Sequence, residues 1–190
     1  AAKMDTARSF KTEFATYRDQ QIRAAMITDA DVEQRAREIY RESQQRVDGV
    51  GGLVKPAHIL FGIRQTDGED KKNQAKQRAD SVYNALLKGA DFAALARQLS
   101  DDRGSAEQGG ELPWIEKGQT LKEFEDMAFS LRKGELSKPF LSPAGYHIVL
   151  LKDKGNFFPY DSLRTSILRF IEQRGIREQI ISQKIEPLAK

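Results

Sequence analysis

Two histidines are the residues of this chain best suited to chemistry, because an imidazole ring changes charge near neutral pH. His58 lies in KPAHILFGI, residues 55–63, and His147 lies in GYHIVLL, residues 145–151; the 190 residues contain no other histidine. Both stretches are short, apolar and typical of strands. One histidine in such a stretch is usually a hydrogen-bonded core residue, whereas two in matching contexts leave a core role and a site role equally open.

The strand pattern predicts where these two rings lie. Side chains alternate along a strand, so His58 shares a face with Leu60, and His147 shares a face with Val149 and Leu151. If the first strand pairs with the hairpin, the two imidazoles could lie across from each other on one face of the sheet. The sequence therefore predicts a histidine pair rather than two isolated residues.

Other kinds of site find little support. A hydrolase triad of Ser105, His58 and Asp101 lacks the G-x-S-x-G turn or a comparable context. The histidines with Asp101 and Asp102 show no metal-ligand spacing, and adjacent acidic residues more often cap a helix or face solvent. The absence of cysteine excludes disulfides, thiolate nucleophiles and thiolate metal sites. We therefore expect no metal and no cofactor.

Composition indicates a globular protein of one or two domains. Hydrophobic residues make up 39% and charged residues 31% of the chain, and the net charge is +3. Positive and negative charges are interspersed, which argues against a nucleic-acid partner. No apolar run reaches the roughly 18–20 residues of a membrane span. The opening AAKMDTARSF lacks the apolar core of a signal peptide and is typical of a helix, so we expect a segment of a longer protein.

Glycine and proline divide the chain into three expected segments. Residues 1–48 contain neither, and VDGVGGLVKP at 47–56 then carries three glycines and a proline. We expect a helical segment over residues 1–53 and an α+β domain over 54–154. A C-terminal helix within 155–190 is expected to pack with the N-terminal helices.

The middle segment is predicted to contain a strand, three helices and a hairpin. The last helix of the three is expected to begin with a capping box from Thr120 to Glu123. The hairpin is expected to turn at Ser142–Gly145, between the strands 140–141 and 146–152.

In this segment the chain resembles the parvulin, or rotamase, family of peptidyl-prolyl isomerases. Five blocks follow the family pattern in order: HILFGI, DFAALARQLSDD, GGELPWIEKGQ, FEDMAFSLRKGELSKPF and SPAGYHIVLLKDK. The flanking helices resemble those of extracytoplasmic folding factors of the SurA and PrsA kind. The resemblance of the blocks covers about residues 54–154.

The resemblance implies a parvulin-like four-stranded antiparallel sheet surrounded by helices, with a proline pocket on one face of the sheet. The implied catalytic residues are His58, Asp102, Ser142 and His147. The implied substrate-binding residues are Leu112, Thr120 and Phe124. Asp101 remains an alternative to Asp102. Thr120 stands where the family often has methionine, and Pro113 stands where it usually has glycine.

The implied function is rotation about Xaa–Pro bonds during the folding of extracytoplasmic proteins, with a periplasmic or similar location and unfolded, proline-containing polypeptides as partners. The loop after HILFGI has no basic cluster, so we expect no preference for phosphorylated substrates. We expect the histidines to organise the pocket rather than transfer protons. An alternative is a holdase chaperone with weak or no isomerase activity, in which exposed apolar helix stripes bind unfolded chains.

Overall fold

The computed structural model describes residues 2–189 of the chain and the side chains of residues 8–187. These residues form two compact units. A helical unit consists of residues 1–44 and 158–190, and a sheet unit consists of residues 45–157.

Helices and strands follow one another as expected for an α+β chain. The helices are α1 Ala2–Ala25, α2 Asp29–Asp48, α3 Glu69–Leu87, α4 Phe92–Leu99, α5 Arg103–Ala106, α6 Lys122–Ser130, α7 Tyr160–Gln173 and α8 Ile176–Ile185, with a 3₁₀ turn at Glu186–Ala189. The strands are β1 Leu53–Gly62, β2 Phe140–Ser142 and β3 Gly145–Gly155. The predicted hairpin is present as β2 and β3, which are joined by Pro143 and Ala144.

Three antiparallel strands form the sheet, in the order β1–β3–β2. β1 pairs with β3 along its whole length, from Leu53 opposite Gly155 to Gly62 opposite Gly145. β2 pairs with the beginning of β3, where Phe140 lies opposite His147. The central strand is therefore β3, which carries one of the two histidines.

The fourth strand that the resemblance implied is not part of this sheet. Residues 110–115 lie along the free edge of β1 but form only isolated bridges, one of them between Val54 and Ile115. Pro56 and Pro113 have no backbone N–H, so this edge lacks donors that a continuous ladder needs. The α+β class is confirmed, and the count of four strands is wrong for the described residues.

Each face of the sheet is covered by its own apolar cluster. The cluster on the first face combines Ile59 and Phe61, which are fully buried, with residues of α3 and α4. The second face packs Val149 and Leu151 against α6, chiefly against Phe124. Burying one such side chain contributes about 1.5–3 kcal/mol, so both faces hold the strands in place. The second face is the one that carries the histidines.

The helical unit has a smaller core. Val32 and Ala36 of α2 pack with Ile171 of α7 and with Ile176 and Ile180 of α8. A stripe of apolar side chains on α1 lies outside this core. Its members are exposed by between 53% and 66%: Phe10, Phe14, Tyr17 and Ile22. Within residues 2–189, no helix is both long and apolar enough to cross a membrane.

Candidate active site on the second face of the sheet

The two histidines meet on one face of the sheet, as diagonal neighbours. His58 lies opposite Val149, and His147 lies opposite Leu60, so the predicted arrangement of directly facing rings is offset by two residues. The Nδ1 atoms of the two rings are 3.3 Å apart, and the ring planes are inclined by 22° with 5.5 Å between centroids. Only 7% of His58 and 3% of His147 is exposed. The predicted pair therefore exists and is buried.

Hydrogen bonds extend the pair at both ends. The Nε2 atom of His58 is 2.7 Å from Oδ2 of Asp102, and Nε2 of His147 is 2.6 Å from the hydroxyl of Ser142. Asp102 also accepts a hydrogen bond of 2.6 Å from the hydroxyl of Ser105. The result is a continuous hydrogen-bonded chain from Ser105 through the partly exposed carboxylate and both buried rings to Ser142.

The neighbours of this chain determine the direction of its protons. A carboxylate can only accept, so His58 donates from Nε2 to Asp102, and as a neutral ring it presents an unprotonated Nδ1 to its partner. His147 then donates from Nδ1, and its Nε2 accepts the proton of Ser142. The backbone N–H of Ala144 donates to the same hydroxyl, at 3.1 Å. Both rings are neutral in this arrangement, and all their nitrogens are satisfied.

Burial and charge support that assignment. Burial, together with the nearby His58, lowers the pKa of His147 to about 4, so its ring is neutral at pH 7. Burial alone would raise the pKa of Asp102, but hydrogen bonds from Ser105, His58 and Gly104 outweigh it and lower that pKa. Asp102 is therefore a carboxylate, and the ring of His147 is neutral.

The free edge of β1 positions Asp102. The backbone N–H of Asp101 donates to the carbonyl of Leu60 at 2.7 Å, and the Asp101 carboxylate accepts from the N–H of Gly62 at 2.8 Å. Arg78 also binds that carboxylate. Asp102 follows as the N-cap of α5 and faces the histidines. The geometry thus separates the two candidate acids: Asp102 contacts His58, and Asp101 anchors the loop.

The neighbouring pocket is small and mainly apolar. It encloses about 240 Å³ between the histidines, Asp102 and α6. All three residues expected to hold a proline ring line it: Leu112, Thr120 and Phe124. The ring of Phe124 meets both imidazoles edge to face, with 5.5 Å between centroids in each case. Such a cavity suits a compact apolar ring.

Ser142 is the one expected site residue that does not line this pocket. It lies behind His147, and it borders a separate groove with Leu141, Pro143 and Tyr146. Ser105 also acts only through Asp102, because its hydroxyl donates to that carboxylate and not to a histidine. A triad of Ser105, His58 and Asp101 is therefore not assembled.

Sequence reasoning did not identify several residues of the pocket and its support. Leu60, Leu121 and Ala144 line the cavity, and Phe140 stacks on His147 with 5.3 Å between ring centroids. Strand alternation places Leu60 on the histidine face and is a signal that could have found it. Leu121 and Ala144 lie in turns, where no periodicity marks the face on which a side chain lies.

The capping box predicted at the start of α6 is absent. The helix begins at Lys122, with Leu121 as its N-cap and no side-chain cap. Thr120 donates its backbone N–H, at 2.7 Å, to the carboxylate of Glu125, and its hydroxyl contacts the same oxygen. Glu125, and not Glu123, is the acid that organises this end of the helix.

A proline-sized pocket beside a buried histidine pair, on an antiparallel sheet flanked by helices, defines a rotamase-type domain. Residues 58–153, half of the chain, match the rotamase family described as the PPIC-type PPIASE domain. The chain therefore belongs to the PPIC-type peptidyl-prolyl isomerase family.

Named relatives agree with this assignment. The chain is 42% identical over 125 residues to "Foldase protein PrsA 3" of Bacillus anthracis, covering 66% of this chain and 40% of the relative. It is 37% identical over 128 residues to "Chaperone SurA" of Chromohalobacter salexigens, covering 67% of this chain and 27% of the relative. The chain thus spans less than half the length of these curated relatives.

A solved structure shows the same domain. The crystal structure of a PpiC-type peptidyl-prolyl cis-trans isomerase domain is similar to this chain with a TM-score of 0.52 and 28% identity. The similarity covers 57% of this chain and 96% of that domain. Nearly the whole isomerase domain of that structure therefore has its counterpart here.

Proposed function

We propose that this chain catalyses rotation about Xaa–Pro peptide bonds in unfolded polypeptides. The observation that carries the proposal is the apolar pocket of Leu112, Thr120 and Phe124 beside the Asp102–His58–His147 chain. Membership of the PPIC-type family supports the same reaction.

The chemistry needs a shaped environment and no nucleophile. Rotation about the peptide bond crosses a barrier of about 18–20 kcal/mol because amide resonance is lost on the way. A catalyst must bind the twisted amide more tightly than the planar one. The planar form carries more separated charge, so an apolar pocket disfavours it relative to the twisted form. Leu112 and Phe124 supply such a surface on two sides of the cavity.

The histidines act in this proposal as organisers of the pocket. Both nitrogens of each ring are engaged inside the chain of hydrogen bonds, so neither ring can exchange a proton with a substrate without breaking a buried bond. Asp102 is the charged group at the pocket, with 31% of its side chain exposed. Its carboxylate is thereby placed to act electrostatically on the polarised carbonyl of a bound amide.

The substrates proposed are polypeptides without a requirement for phosphate. Arg64 and Lys72 are the basic residues of the groove beyond Ser142, and Glu69 lies in the same groove. A phosphate clamp favours several convergent donors, above all bidentate arginine, without a carboxylate among them. We accordingly infer unfolded, proline-containing clients and, from the PrsA and SurA relatives, an extracytoplasmic and more specifically periplasmic or equivalent location.

Exchange spectroscopy on a short Xaa–Pro peptide tests the reaction directly. Uncatalysed exchange takes tens to hundreds of seconds, so catalysis appears as exchange cross-peaks or line broadening at substoichiometric protein. Phe124→Ala should abolish the effect by removing one side of the pocket. Leu87→Ala is the matched control, because Leu87 is 63% exposed at the end of α3 and lies outside the pocket. If the peptide exchanges at the uncatalysed rate in the presence of the wild-type protein, the proposed activity is refuted.

A second function, that of a holdase, is favoured by one separate observation. Phe10, Phe14 and Tyr17 form an exposed aromatic stripe on α1, a surface suited to apolar segments of unfolded chains. The test is suppression of aggregation of a denatured client, by wild type and by a Phe10→Ser/Phe14→Ser double variant. A holdase acting through α1 loses suppression in the double variant and keeps it in Phe124→Ala. The reverse outcome would place client binding at the pocket.

A further inference from the structure

Glu125 is a buried acid whose partners are all in the loop that precedes its own helix. Only 8% of the residue is exposed. Both of its carboxylate oxygens accept from the backbone N–H of Gly118 at 3.0 Å, and Oε1 also accepts from the N–H of Thr120 at 2.7 Å. Among the described residues no lysine or arginine forms an ion pair with it. The carboxylate is thus held by loop amides and not by a counter-charge.

A buried carboxylate is costly unless hydrogen bonds replace its hydration. Burial by itself would raise the pKa of Glu125, but the donors of Gly118, Thr120 and Gln119 outweigh burial and lower that pKa. The loop therefore stabilises the charged form of Glu125. The same hydrogen bonds hold the loop against the carboxylate.

The same loop builds one wall of the pocket. Thr120 and Leu121 line the cavity, whereas Glu125 does not. Phe124, the neighbour of Glu125 in α6, forms another part of the pocket surface, next to the histidines. One short helix thus supplies one side of the pocket directly and holds the other side through Glu125.

We propose that Glu125 is a positioning residue for the proline pocket: by holding Gly118 and Thr120 it sets the distance between the loop wall and Phe124. This inference rests on the proposed function, because it concerns the affinity of the same pocket. It assigns Glu125 no contact with the substrate. The proline ring is the same in the planar and the twisted amide, so a change in the distance between the walls that hold the ring weakens the binding of both.

The principal test is Glu125→Gln, which keeps the size of the side chain but places a donor against N–H groups. We expect KM for an Xaa–Pro peptide to rise by roughly tenfold with kcat within about twofold of wild type, since uniform binding is lost. Glu123→Gln is the matched control, because it makes the same change on an exposed residue of the same helix and should leave both constants unchanged. An unchanged KM in folded Glu125→Gln, or a fall in kcat alone, overturns the proposal.

A second pair of variants perturbs the loop while Glu125 itself is not substituted. Gly118 has φ +93°, a conformation that residues with a side chain rarely adopt, and an added Cβ meets no described atom within 4 Å. Gly89 at the end of α3 has φ +94° and the same open surroundings. Gly118→Ala should raise KM as Glu125→Gln does, and Gly89→Ala should not. Equal effects of the two alanines would contradict the proposal, even if Glu125→Gln failed to fold.

Peptide affinity separates this inference from the proposed reaction. The dissociation constant of the same peptide, measured by NMR titration, does not depend on turnover. Wild-type binding without catalysis refutes the isomerase activity, and weaker binding by Glu125→Gln and Gly118→Ala would still support the positioning role. Equal dissociation constants in all variants refute the positioning role alone. Absence of any wild-type binding refutes both.

Discussion

The buried position of His147 makes the stability of the sheet unit dependent on pH. The folded ring has a pKa of about 4, whereas an unfolded histidine has the ordinary value of about 6.5. Between these two values the unfolded chain binds a proton that the folded chain does not bind. The free energy of unfolding therefore rises with pH in this window and falls on acidification.

The size of the effect follows from the two pKa values. Relative to pH 7, this single group should reduce the free energy of unfolding by about 2 kcal/mol at pH 5 and by about 3 kcal/mol at pH 4. The lowered pKa values of Asp102 and Glu125 act at more acidic pH, because an unfolded Asp or Glu titrates near 4. The interval from pH 7 to pH 5 thus separates the titration of His147 from that of these acids.

Tryptophan fluorescence during denaturant unfolding is the assay. Trp114 is the only tryptophan of the chain and belongs to the sheet unit, so its signal reports that unit. Wild type is compared with His147→Gln at pH 7, 6 and 5. The variant is expected to be less stable at every pH, and its stability should stay flat across the interval while that of wild type declines.

Two results would refute this reasoning. One is a wild-type free energy of unfolding that does not change between pH 7 and pH 5, and the other is an equal decline in His147→Gln. Proton NMR of the imidazole of His147 gives an independent check, because its titration midpoint should lie near 4. A midpoint near the ordinary value of about 6.5 would show that burial does not exclude the charged ring.

Substitutions at Ser142, Phe124 and Gly110 test the rest of the site. Ser142→Ala leaves Nε2 of His147 buried without a donor and should cost about 1–3 kcal/mol in denaturant unfolding, and Ser142→Thr should recover most of it. Phe124→Ala should lower the free energy of unfolding by about 3–5 kcal/mol through the cavity that it leaves, and a loss below 1 kcal/mol would argue that the ring is not a core residue. Gly110→Ala would place a Cβ 2.2 Å from the carbonyl oxygen of His58 at φ +81°, so thermal unfolding should show a loss of at least about 4 kcal/mol. A normal melting temperature in Gly110→Ala would contradict that packing.

That the two histidines can form a pair could be predicted from the sequence, because side chains alternate strictly between the two faces of a strand. Alternation leaves two arrangements once the strands pair, and His58 and His147 share a face only in the registers of one parity. The register was not accessible, because a run of apolar residues permits more than one alignment. In the fold Gly62 lies opposite Gly145, and this alignment makes the rings diagonal neighbours.

Local patterns misled where tertiary contacts override them. Thr120 and Glu123 have the spacing of a capping box, yet the loop curls so that Thr120 reaches Glu125. No sequence rule distinguishes these two acids, since the choice depends on which one is buried against the loop. The reason why the fourth strand does not form is visible in the sequence. Pro56 and Pro113 have no backbone N–H and so remove hydrogen-bond donors along the edge of β1.

The position of β3 has a consequence for biosynthesis. It is the central strand of the sheet and also the last of the three to leave the ribosome. A nascent chain that ends before Gly145 carries β1 and β2 without the strand that separates them, so neither the sheet nor the pairing of imidazoles can form. Pairing of β1 with β3 closes a loop of more than eighty residues, and contacts of such long range slow folding. A protein proposed to speed the folding of others thus depends, for its own sheet unit, on a step that must wait until translation of that unit is complete.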